Sequence, residues 1–133
     1  INVPVRVMMA PIIPFLNSDE IPAVIQAAAE AGASAASFTM VRLNGAIAEI
    51  FTDWIYKAYP DRAERVLNAI ASCHGGKLND STWGRRMVGD GHIAESIHNL
   101  FSISVNRFLK GKSMRPYSFE HFAPARGKQL QIF

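Results

Sequence analysis

An α/β fold resting on parallel strands is expected of this chain, and three observations lead there. Residues 3–9, VPVRVMM, are apolar at nearly every position, the pattern of a parallel strand buried on both faces rather than of an alternating surface strand. Residues 35–43, AASFTMVRL, form a second strand-like run. Between them lies an alanine-rich segment of helical period, so strand, helix and strand make a βαβ unit with parallel strands and a right-handed crossover.

Each element has its own punctuation. Pro11 and Pro14 are expected to end the first strand, because neither can donate to a ladder. Asn17, Ser18 and Asp19 offer helix N-caps, and Glu20 adds negative charge to the first turn. Pro22 is tolerated there because the first helical N–H groups have no partner. The helix should run to about Ala31 with Ile21, Val24, Ile25 and Ala28 inward, closed by Gly32. Beyond Gly45, Ile47, Ile50, Phe51, Trp54 and Ile55 mark a second helical stripe. Pro60 separates it from a helix near 61–73 carrying Ala63, Val66, Leu67 and Ile70, which Gly75-Gly76 ends. Residues 77–91 are polar, glycine-rich and arginine-bearing and read as a long loop. A last helix near 92–109 places Ile93, Ile97, Leu100, Phe101, Ser104 and Phe108 on one face, and the tail from Lys110 reads as extended or disordered.

The organisation follows: a βαβ unit over 1–45, a helical extension over 46–109 and a tail over 110–133. Two parallel strands cannot make a stable sheet alone, since both outer edges would expose unpaired backbone groups. The strands should therefore belong to a bigger sheet, supplied by further sequence or by a second copy of the chain. The chain also opens on a strand-like run and without Met, as expected of a segment cut from a longer protein.

Composition narrows the function. With 133 residues, 49% of them hydrophobic, the chain can build one real core. No apolar run reaches the roughly 18 residues of a membrane span, and a basic n-region with a cleavage site is absent, so neither membrane nor secretory leader is expected. Cys73 is the only cysteine, a small half-buried residue near a helix end by expectation, and a reducing cytoplasm is the natural compartment. Residues 1–76 hold five Lys/Arg against seven Asp/Glu, a net of −2, whereas residues 77–133 hold nine against four, a net of +5. A basic second half suits nucleic acid or another polyanion, and equally an ordinary solvated surface.

Ligands of parallel α/β sheets collect at the carboxyl ends of the strands. Here those ends are Ala10, Pro11, Ile12, Ile13 and Pro14, a rigid apolar loop suited to a planar ring, and Met40, Val41, Arg42 and Leu43, which offer backbone groups and an arginine for a carboxylate or phosphate. The plainer alternative is that the prolines only stop a strand and Arg42 pairs with an acid. The loop 79–91, NDSTWGRRMVGDG, sets Trp83 beside Arg85 and Arg86 and ends in Gly-Asp-Gly before a helix. That grouping fits an anion or nucleic-acid site, or else a capped loop with Trp83 plugged inward and both arginines solvated. His74, His92, His98 and His121 lack metal-ligand spacing and read as surface or capping residues, and no nucleophile elbow or P-loop occurs.

The run VPVRVMMAPIIPFLNSDEIPAVIQAAAEAGASAASFTMVRL resembles the fifth strand, helix and sixth strand of radical S-adenosylmethionine (SAM) proteins, in the group related to spore photoproduct lyase and often labelled DNA repair photolyase. The likeness continues through FTDWIYKAYPDRAERVLNAI and LNDSTWGRRMVGDG, with residues 8–19 and the WGRRMVGDG loop its most specific parts. The terminal Gln129-Leu130-Gln131-Ile132-Phe133 resembles the Gln-Leu-x-Leu-Phe peptide by which bacterial DNA-maintenance proteins dock on the replication sliding clamp, with Ile132 in the place of leucine; a tail strand packing on its own domain is the other reading.

The resemblance implies a partial (β/α)6 barrel to which this chain contributes strands five and six plus a C-terminal helical extension. It implies an enzyme that cleaves SAM reductively, with nucleic acid as the substrate class, and a SAM adenine lying against Ala10, Pro11, Ile12, Ile13 and Pro14 and meeting the backbone of Met40, Val41 and Arg42. It implies no catalytic residue in this segment. The family's C-x3-C-x2-C cluster motif does not occur in the 133 residues, so the thiolates that hold a [4Fe–4S] cluster would have to come from a missing N-terminal half, and the segment alone would be inactive. Two other readings stand beside it: a non-catalytic nucleic-acid or clamp-binding module, and a small α/β domain that dimerises to complete its sheet.

Overall fold

The computed structural model describes residues 3–123. Among them the strands β1 (Arg6–Ile12) and β2 (Ala35–Met40) pair in parallel, Arg6 opposite Ala35 through Met9 opposite Phe38, and helix α1 (Ile21–Glu30) joins them. The βαβ expectation therefore holds in element order and strand direction, and the molecule is a mixed α/β protein with a two-stranded sheet.

The first strand lies later than expected, over 6–12 instead of 3–9, and Pro11 does not end it. The pairing steps from Met9–Phe38 to Ile12–Met40, so Ala10 and Pro11 together face Thr39. Such a bulge leaves one residue outside the ladder, and there the missing N–H of a proline removes no hydrogen bond. The expected burial on both faces is not met either. Met9, Ala36 and Phe38 pack into the core beneath the helices, whereas Met8 on the other face is 57% exposed, its sulfur accepting from the Ser37 hydroxyl at 3.5 Å. One face is covered and the other is bare.

The start of α1 also departs from expectation. A 3-10 turn, Ser18–Glu20, precedes the helix, and none of Asn17, Ser18 or Asp19 caps it with its side chain. Asn17 instead accepts from the Ile13 N–H at 2.7 Å and donates to the Pro11 carbonyl at 3.2 Å, while the Ser18 hydroxyl accepts from the Phe15 N–H at 3.1 Å. Short polar side chains that can reach backbone compete for it wherever it lies unpaired, and here the loop after the bulge took them. Gly32, at φ +94°, closes α1 as expected.

Helices α2 (Ala46–Ala58) and α3 (Pro60–Ser72) form a hairpin turned by Tyr59, with Pro60 at the first helical position. Ile55, Ala63, Val66 and Ile70 are fully buried there against Val41 and Leu43, the chain just beyond β2. Removing an isoleucine or valine side chain of this kind from water contributes roughly 1.5–3 kcal/mol. The stripe expected on α2 is only partly used: Phe51 and Ile55 face in, but Ile47 and Ile50 are 55% and 68% exposed. Helix α4 (Gly91–Phe108) crosses α1 and β2, burying Ala94, Ile97, Phe101 and Ser104, with the Phe101 ring 4.5 Å from Phe38. The Asp90 side chain accepts from the Gly91 N–H at its start. Cys73, at the end of α3, is fully rather than half buried, and that burial pushes its thiol above the usual range. No helix among the described residues is long and apolar enough to cross a membrane.

Candidate functional site

The bulge decides what the strand ends present. Past it, Pro11 and Ile13 point one way and Ile12 the other, into the core, where it is fully buried. A cavity of about 500 Å³ opens on the first side, at the carboxyl ends of both strands. Seven residues of the two expected strand ends line it: Ala10, Pro11, Ile13, Met40, Val41, Arg42 and Leu43. Two do not. Ile12 lies in the core, and Pro14 is buried and faces a different cavity across the loop. Thr39, Ile47, Phe51, Trp54 and Met87 complete the lining. The helical stripe of α2 contained the signal for three of these, since it is wider than one hairpin can cover; nothing local marked Met87.

Several backbone groups at the end of β2 are already engaged by other parts of the chain. The Met40 N–H donates to the Met87 carbonyl (2.8 Å), the Val41 N–H to the Ile12 carbonyl (2.9 Å) and the Leu43 N–H to the Leu78 carbonyl (2.9 Å). The Val41 carbonyl accepts from His74 Nε2 at 2.7 Å, which fixes that nitrogen as the donor. His74 is 2% exposed, and among the described residues its Nδ1 has no hydrogen-bond partner, nor has the buried Asn79 Oδ1. So the loop 77–91 is stitched along the strand that it follows, and apolar side chains rather than open peptide groups form most of the cavity wall. Arg42, half-buried, is the one cationic side chain in the lining and has no ion-pair partner among the described residues.

A salt-bridged turn shapes that loop. Asp80, 7% exposed, accepts from the Thr82 N–H at 2.8 Å and from Arg85 Nε at 2.5 Å. Hydrogen bonds from Thr82, and then from Arg85, hold its carboxyl far below the usual carboxylate range. The Arg85 guanidinium also lies 3.8 Å from Asp90, whose own N–H donates to the Cys73 carbonyl at 2.9 Å. Both acids thus share one arginine, and Arg85, its side chain 42% exposed, ties the loop together at two points. Arg86 and Trp83 are different. Trp83 is 84% exposed, not plugged inward, and the Arg86 guanidinium lies 4.9 Å from its ring centre. His98 Nε2 meets the Val88 carbonyl at 2.9 Å, so two of the four histidines tether backbone.

Chemically, the strand-end cavity offers an apolar wall, with Pro11, Ile13 and Met40 facing it and Arg42 beside them. An iron–sulfur cluster does not fit the residues present. Three thiolates are needed, and Cys73 is both the sole cysteine and fully buried in the core. No group of three or more His, Cys, Asp or Glu placed to hold a metal occurs among the described residues. Gln129, Leu130, Ile132 and Phe133 lie outside the described residues. No family model, curated protein or solved structure matches the chain.

Proposed function

We propose that this chain supplies strands five and six of a partial (β/α)6 barrel in a radical SAM enzyme related to spore photoproduct lyase, its cluster-binding strands lying in another part of the parent protein. The observation that carries the reading is the apolar cavity of about 500 Å³ at the carboxyl ends of two parallel strands, seven of whose lining residues come from the two strand-end segments. The bare sheet face around Met8 supports it, because in a closed barrel that face looks into the interior. The adenine would lie against Pro11 and Ile13, and Arg42 carries the charge that the SAM carboxylate needs. A reduced cluster, held by thiolates in another part of the parent protein, would supply the electron that cleaves SAM; this segment would orient the adenosyl portion and exclude water from one side of it. The test is a longer protein that includes the segment, purified without oxygen. It should be brown and cleave SAM under reduction, and Ala10→Phe should raise the KM for SAM by about tenfold or more, the order expected when a side chain fills a ligand site. A colourless protein that binds no cluster refutes the assignment.

A second reading, binding of single-stranded nucleic acid, has its own observation in the exposed Trp83–Arg86 pair. An indole face backed by a guanidinium is a stacking platform for a base. Trp83→Ala and Arg86→Ala should each weaken binding of a DNA oligonucleotide, and Arg86→Ala should flatten its salt dependence. Unchanged binding in both variants removes the loop from any such role.

A further inference from the structure

On the far side of the loop that follows β1 lie two adjoining cavities that the strand-end site does not use. One, of about 340 Å³, is walled by Pro14, Phe15, Ile93, Ile97 and Leu100. The other, of about 320 Å³, has Arg62 and Arg65 on its wall, and both cavities share Phe15, Ser18 and Asp19. The first is apolar and the second basic, with Phe15 standing between them.

Phe15 is held there against its own preference. It sits at φ +60°, a left-handed conformation that bulky side chains avoid and that persists only where the surroundings over-determine it. The surroundings are visible: its N–H donates to the Ser18 hydroxyl, and Asn17 ties the preceding turn at Ile13 and Pro11. Arg65 then lies over the Phe15 ring, 4.1 Å from its centre. Neither Arg62 nor Arg65 has a carboxylate within salt-bridge distance among the described residues. Two unpaired guanidinium groups, spaced i,i+3 on α3, share one side of that helix.

We infer that the two cavities form one binding site for a small amphipathic monoanion, an organic carboxylate on an apolar chain or ring. Arg62 and Arg65 grip the carboxylate in planar, two-pronged fashion. The apolar body passes Phe15 and lies against Ile93, Ile97 and Leu100. Asp19 on the shared rim limits the charge of the ligand: it stands against Arg62 and Arg65, while His92, at the edge of the apolar cavity, lies 3.7 Å from Glu95, and this small positive surplus matches a monoanion better than a phosphate dianion. The size of the apolar cavity, near the lower end of the range for ligand sites, limits the body to a short chain or a single ring. This site is separate from the strand-end cavity and does not depend on the SAM reading.

The experiment is a titration of the chain with octanoate, 1-octanol and octyl phosphate, followed by the methyl resonances of Ile93, Ile97 and Leu100. Octanoate should shift them saturably and bind about tenfold or more tighter than octanol, the order expected of a charge-assisted hydrogen bond. The double variant Arg62→Gln with Arg65→Gln should bring octanoate down to the affinity that octanol shows for the same variant; both arginines are exposed, and the Phe15 N–H keeps its bond to Ser18. Absent or non-saturating shifts overturn the site, as does equal affinity for octanoate and octanol. Tighter binding of octyl phosphate than of octanoate overturns the monoanion assignment.

Discussion

Gly89 offers the sharpest test of how the loop beside the strand-end cavity is held. Substitution by alanine meets two separate obstacles. The residue has φ +75°, and an L-residue in the left-handed region costs roughly 1–2 kcal/mol, partly offset by about 0.4–1 kcal/mol from the stiffer unfolded chain. The added methyl would also stand 3.2 Å from Ala94 Cβ, 3.3 Å from the Cys73 carbonyl oxygen and 3.4 Å from Cys73 Cβ. These neighbours cannot retreat easily: Ala94 and Cys73 are core residues at the ends of two helices, and the Cys73 carbonyl already accepts from Asp90. Overpacking of this kind costs about 1–3 kcal/mol. Gly84 is the control, because at φ +83° it pays the conformational cost with nothing within 4 Å of the added methyl. Gly84→Ala should therefore lose about 1 kcal/mol or less and Gly89→Ala about 2–4 kcal/mol, read from urea midpoints at constant m. In heating scans the gap should appear as a difference of several degrees in Tm. If the two variants fall together within about 0.5 kcal/mol, the close approach of Gly89 to α4 is wrong.

Two further outcomes are expected. Because the Asp80 carboxyl is depressed in the folded state, its ionised form stabilises the protein fully above the unfolded carboxylate value near 3.9, and that contribution is lost as pH falls below it toward the folded value; the urea-midpoint gap between wild type and Asp80→Asn should thus be constant from neutral pH to about 5 and shrink through the acid range, and a gap independent of pH would sink the reasoning. Ile70→Ala, in the fully buried core of the α2–α3 hairpin, should cost about 2–5 kcal/mol, whereas Ile50→Ala on the same hairpin should stay within about 0.5 kcal/mol in this chain, and comparable losses would show that the α2 stripe is covered after all.

What the sequence discloses and what it hides differ by range. Helices α3 and α4 were legible because their apolar residues recur on one face, and Ala63, Val66, Ile97 and Phe101 are buried as that period demands. The bounds of β1 were not, because a proline that normally ends a strand is harmless inside a bulge, and the bulge exists only once β2 lies alongside. The candidate caps of α1 were misassigned for a similar reason. Asn17 can serve a helix start or a loop, and only the nearness of Ile13 and Pro11 decides between them. Of the expected strand-end residues, all but Ile12 and Pro14 line the cavity; those two do not, since the phase of the alternation after a bulge cannot be counted from sequence. Arg85 was grouped with Arg86 by adjacency. Its pairing with Asp80 had a local signal, an Asp two residues before Thr82, the spacing of an Asx turn.

Exposure around the strand-end cavity bears on how such a site would act. Of its lining, Ile47, Trp54 and Met87 are each more than two-fifths open to water. A ring lying on Pro11 and Ile13 would have one face desolvated and the other wet. Ligand sites that bind tightly bury most of their ligand, and partial burial forfeits a proportional share of the apolar contribution. Under the proposed function the segment alone should therefore hold SAM weakly, and the affinity should arise when neighbouring strands cover the bare face that carries Met8. The same closure would remove Met8 from solvent. One event, completion of the sheet, would thus convert a surface that is unfavourable in isolation into the interior wall of a ligand site, so weak binding by the segment and tight binding by a longer protein are consequences of a single geometry.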